Sequence, residues 1–109
     1  MVNHKHYTYR VTWSEEDGEH LALCAEFPSL SYLAAKPTDA LKNMVKLVGE
    51  VVEDMAANNE PIPTPLAEKK YSGKFMVRIP PEQHRNLATE AAEQGISLNR
   101  YISSKLVNI

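Results

Sequence analysis

Residues 73–109 hold one alternating strand followed by two short helices, a combination that cannot close on itself. From Ser72 to Pro80 the chain alternates, with Phe75, Val77 and Ile79 on one side and Lys74, Met76 and Arg78 on the other. A first helix is expected from about Pro81 to Gln94, with His84, Leu87, Ala88, Ala91 and Ala92 along one stripe and Gly95 as its stop. Ser97 is the expected N-cap of a second helix whose buried stripe is Leu98, Tyr101, Ile102 and Leu106. Chains of fewer than about 40 residues rarely fold unaided, and a lone strand leaves a row of N–H and C=O groups unmet. Both deficits vanish if two copies pair this strand antiparallel and merge their stripes. A homodimer is therefore expected, with Phe75, Val77, Ile79, Leu87 and Ile102 in its shared core.

The other face of such a two-stranded ribbon carries Lys74, Met76 and Arg78 from each copy, and a ribbon is narrow enough to enter the major groove of B-DNA. Arg and Lys donate to guanine O6 and N7, and Met offers apolar contact to a thymine methyl. The start of the second helix aims free N–H groups outward, so Ser97, Asn99 and Arg100 are candidates for holding phosphate. The plainer reading makes Lys74, Met76 and Arg78 the solvated face of an edge strand, where a methionine is out of place.

The N-terminal half reads differently. Tyr7, Tyr9, Val11 and Trp13 alternate with Thr8, Arg10 and Thr12, and Glu15 to Gly18 supply a turn. The next run puts Leu21, Leu23, Ala25 and Phe27 on the expected apolar face and His20, Ala22, Cys24 and Glu26 on the other. Pro28 ends pairing, and Leu30 to Ala34 makes a short third strand. From Pro37 to about Asn59, apolar residues at Leu41, Met44, Val45, Val48, Val51, Val52 and Met55 mark an amphipathic helix to cover the meander, capped at Lys36 or Thr38. The fold class is α+β. Pro61-Ile62-Pro63-Thr64-Pro65 cannot continue a helix and reads as a stiff connector. The expected organisation is a first domain over 1–60, a linker over 61–72 and a second domain over 73–109.

Charge separates the halves as well. The net charge is −2, but residues 1–66 carry five Lys/Arg against ten Asp/Glu, and residues 67–109 carry seven against four. The basic end suits phosphate, and the acidic end suits a basic partner. Asp17, Glu19, Glu26 and Asp39 could serve a metal-dependent nuclease, but no spacing brings three of them together. Cys24 has no second cysteine and no evident base, so neither a disulfide nor a nucleophile is expected. His4 and His6 lie in a polar terminus, and His84 falls on the expected buried side of its helix. No cofactor or metal is expected. The absence of a long apolar run and the polar start, Met1 to His6, lead to the expectation of a soluble cytoplasmic protein with no membrane contact.

The stretch from Gly73 to Val107, with Lys74-Phe75-Met76-Val77-Arg78-Ile79-Pro80-Pro81 and Gly95-Ile96-Ser97-Leu98-Asn99-Arg100-Tyr101, resembles the Arc/MetJ type of ribbon-helix-helix domain. With Tyr9-Arg10-Val11-Thr12-Trp13, Asp17-Gly18, Ala25-Glu26-Phe27-Pro28-Ser29-Leu30 and the proline run, the whole chain resembles the HicB family of antitoxins in its DNA-binding form. That resemblance implies a partial RNase H-like fold over residues 7–60. It also implies neutralisation of a HicA-like ribonuclease toxin, and binding to double-stranded operator DNA of the pair's own operon by a dimer or higher oligomer. Lys36-Pro37-Thr38-Asp39-Ala40 departs from the Thr-Pro-Glu-Glu-Ala that often opens the family's long helix. The alternative function is a solitary ribbon-helix-helix repressor without a toxin.

Overall fold

The protein is described here by a computed structural model covering residues 2–107, so the last two positions of the expected second domain lie outside the described residues. Contacts divide the chain into two units, residues 1–71 and 72–109.

The first unit is a three-stranded antiparallel sheet in the order β1-β2-β3, formed by β1 (Tyr9–Ser14), β2 (Glu19–Cys24) and β3 (Ser31–Ala34). The long helix α1 (Pro37–Ala57) packs against all three strands. Five of the seven expected positions hold, with Met44, Val48 and Val52 buried and Val51 and Met55 packed beside them; Ala40 and Leu47 join that face, whereas Leu41 is 40% exposed. Each full side-chain burial of this kind contributes about 1.5–3 kcal/mol. Lys36 occupies the N-cap with no side-chain bond, and Pro37 is the first helical residue, where its missing N–H costs nothing. The turn at Glu15 to Gly18 forms as expected, with Gly18 N–H bonded to Ser14 O at 2.8 Å.

The facing of β2 is the reverse of the sequence expectation. Ala22 and Cys24 are buried against the helix, whereas Leu21 and Leu23 are half-buried and pair across β1 with Thr12 and Arg10 on the outer face. Bulk explains the inversion. Met44, Val48 and Val52 fill the space between the layers, and a close-packed interior then needs small residues opposite them. Tyr7 and Phe27 close the far end edge-to-face, with ring centroids 5.2 Å apart.

The proline segment, expected as a plain connector, packs onto this unit. Pro65 is fully buried and Ile62 lies against the core. Tyr7 Oη donates to Pro63 O at 2.7 Å, and the Leu66 N–H donates to Glu26 Oε2 at 2.9 Å. The N-terminal residues are also built in. A single 3-10 turn (His4–His6) is capped by Asn3, Tyr9 Oη donates to His4 O, and His6 Nδ1 meets Glu68 Oε1 at 2.6 Å. Burial first, then the neighbouring Cys24 and Glu26, push the Tyr7 and Tyr9 hydroxyls upward, so both remain donors.

The second unit contains α2 (Pro81–Glu93) and α3 (Leu98–Val107). Gly95, at φ +70°, ends α2 as expected: its N–H bonds Ala92 O while Ile96 N–H bonds Ala91 O, a paired closure that needs a left-handed residue between. Tyr101 is buried between the helices, donating to Glu90 Oε2 at 2.7 Å. Residues 72–80, expected as a strand, carry no ladder in the single chain. An extended segment becomes a strand only through hydrogen bonds to another, and this unit contains no second segment to provide them.

Candidate nucleic-acid interface

Among the described residues, the second unit buries only Ala91 and Tyr101. Seven of its other apolar side chains border an open groove of about 630 Å³. Phe75, Val77, Ile79, Leu87 and Ile102 all line it, together with Leu98 and Leu106. The three selected by alternation and the two selected by helical stripes thus share one surface, and in the single chain that surface is unfilled: Phe75 is 76% exposed and Val77 63%. His84, expected to be packed, is exposed at the groove wall, because nothing in the single chain covers that side of α2.

Met76 and Arg78 do not line the groove, as alternation requires, and Met76 is 80% exposed. Lys74 is exposed but also borders the groove, and its N–H is bonded to Ser72 Oγ at 3.1 Å. Ser97 caps α3 as expected, its Oγ accepting the Arg100 N–H at 3.1 Å. Arg100 is exposed, while Asn99 is exposed at the groove rim beside Leu98. The six candidate residues therefore fall on two short stretches, residues 74–78 and the first turn of α3. The unit that carries them has five Lys/Arg against three Asp/Glu; residues 1–71 have seven against eleven.

Reasoning from sequence missed Glu90, whose carboxylate holds Tyr101, and the role of Glu26. The Glu26 carboxylate accepts from Thr8 N–H at 2.9 Å, Thr8 Oγ1 at 3.1 Å and Leu66 N–H at 2.9 Å. Partial burial pushes its carboxyl up, but the amides of Leu66, Thr8 and Glu26 itself and the Thr8 hydroxyl pull harder, leaving it below the usual carboxylate range. Such a carboxylate stabilises the fold fully above its ordinary pKa, and the contribution is lost as pH falls through the lowered one. Glu26→Gln is expected to cost about 1 kcal/mol at neutral pH, discounted for solvent exposure. Thermal melts of the two proteins should converge in acid; an equal gap at every pH would contradict this role.

Among the described residues, no three His, Cys, Asp or Glu side chains converge to hold a metal ion. Among the described residues, no helix is long and apolar enough to cross a membrane. No curated protein and no solved structure matches this chain. Residues 57–106, from the last residue of α1 through the proline segment and most of the second unit, match the model of the HicB family.

Proposed function

We propose that the protein is an antitoxin that binds a HicA-like ribonuclease toxin and represses its own operon through a ribbon-helix-helix dimer. One observation carries the reading: an extended segment with bare apolar side chains borders a groove lined by the same unit's helices, inside the stretch that matches the HicB family. A second copy laid antiparallel supplies the missing strand and fills both grooves. Lys74, Met76 and Arg78 then form the outer face of the ribbon, and the start of α3 holds phosphate through Ser97, Asn99 and Arg100.

The first unit, with a partial RNase H-like arrangement and an acidic balance, is assigned to the toxin, whose RNA-binding surface is basic. Its work is binding and not catalysis, in the cytoplasm and without a cofactor. Glu26, one candidate acid, is engaged in tying Thr8 to Leu66.

The test is co-expression with any short reading frame beside the gene, followed by purification and a mobility shift on the DNA upstream. A stable complex that shifts that DNA is expected. A DNA shift with no co-purifying protein would leave the solitary repressor. Metal-dependent RNA cleavage by the purified chain, abolished by Asp39→Asn, would replace both with an enzyme.

A further inference from the structure

The sheet of the first unit has an open edge with the properties of a pairing site. β1 lies at the end of the order β1-β2-β3. Ala25 N–H donates to Thr8 O, and the register then makes Thr8, Arg10, Thr12 and Ser14 the residues bonded to β2. The N–H and C=O groups of Tyr9, Val11 and Trp13 consequently point to the open side. Among the described residues, no turn, loop or cap hydrogen bond uses them.

Proteins usually blunt such an edge with proline, a bulge, an inward charge or a very short strand. β1 has none of these and a single outward charge, Arg10: it runs six residues, Tyr-Arg-Val-Thr-Trp-Ser, in unbroken register with β2. β3, the opposite edge, is only four residues long. Trp13, on the same side as Tyr9 and Val11, is 51% exposed at the end of the open strand.

We propose that β1 pairs antiparallel with β1 of a second copy of this chain, centred on Val11, to make one continuous sheet from two first units. Self-complementarity selects a second copy as the occupant. In that register Val11 faces Val11, Tyr9 of one copy faces Trp13 of the other, and each pair exchanges both its N–H···O bonds. The half-exposed indole, edge-on to His20 of β2 and donating to Glu15, gains a second cross-strand aromatic neighbour. On the outer face Arg10 meets Thr12, so no like charges are opposed. Beyond the strand ends, the acidic turn Glu15-Glu16-Asp17 of one copy approaches Lys5, between His4 and His6, on the other. A parallel pairing would bring the two acidic turns together. The inference uses nothing from the second unit, so it stands apart from the ribbon proposed above.

The test is sedimentation and amide hydrogen exchange on the full chain and on Ile79→Asp, Trp13→Pro and the double variant. Trp13 N–H points away from β2, so proline there removes an outward donor without breaking the β1–β2 ladder. Ile79→Asp is expected to remain a dimer, and the double variant to fall about twofold in mass. The amides of Tyr9, Val11 and Trp13 should exchange slowly in the unmutated chain, a readout that needs no variant to fold. If Ile79→Asp leaves the mass unchanged while Trp13→Pro halves it, the ribbon reading fails and the β1 pairing stands. An Ile79→Asp monomer whose three amides exchange as fast as those of an exposed loop would overturn the pairing. Protection that arises only on adding a different protein would overturn the choice of a second copy.

Discussion

In the proposed ribbon dimer, Ile79→Asp is expected to break the association of the second unit and, with it, the specific DNA binding assigned to that dimer. Ile79 lines the open groove next to Phe75, Val77 and Leu87, and a second copy would bury it on both sides. A carboxylate in that position loses its hydration and gains no partner, at a cost of about 3 kcal/mol or more, over a hundredfold in a dissociation constant. Because the unit buries so little by itself, the same change should reduce its helical circular dichroism, and the loss should deepen on dilution. A variant that keeps its helicity and still shifts the upstream DNA would refute the shared core.

Arg78→Ala is expected to cost about 1–3 kcal/mol on the preferred DNA sequence and to relax discrimination at one base position. The residue is exposed, stands off the groove, and lies on the alternation that carries Lys74 and Met76. The decisive comparison is between the preferred site and random duplex of equal length at fixed salt. Selective loss on the preferred site identifies a base contact, whereas equal loss on both would assign Arg78 to phosphate. Lys74→Ala provides the contrast, since Lys74 also borders the groove and its effect need not be confined to base reading.

Local rules carried far in this chain where each residue's partner is near in sequence. The periodicity of α1, the turn at Gly18, the closure at Gly95 and the Ser97 cap all depend on contacts within a few positions. The same rules failed at β2, where Leu21 and Leu23 are more apolar than Ala22 yet face outward. The choice is made by the volume of Met44 and Val48 across the layer, which alternation does not register. Proline-rich residues 61–65 were unreadable for a related reason: Tyr7 to Pro63 and Glu26 to Leu66 are single long-range hydrogen bonds without a repeat. As for the candidate interface, the five groove residues were legible because alternation selected Phe75, Val77 and Ile79 and helical stripes selected Leu87 and Ile102. His84 was not, because its expected burial needs a surface the single chain lacks.

Gly49 in the middle of α1 lies under the imidazole of His4; a Cβ added there would come within 2.8 Å of Nε2. The His4 carbonyl is held by the Tyr9 hydroxyl, so the backbone stays in place while rotation about the side-chain bonds carries the ring aside. Positions 4 and 49 are therefore coupled through the movable end of one side chain. A small side chain at 49 should be tolerated once the imidazole turns aside, and replacing His4 by alanine should remove the cost that remains.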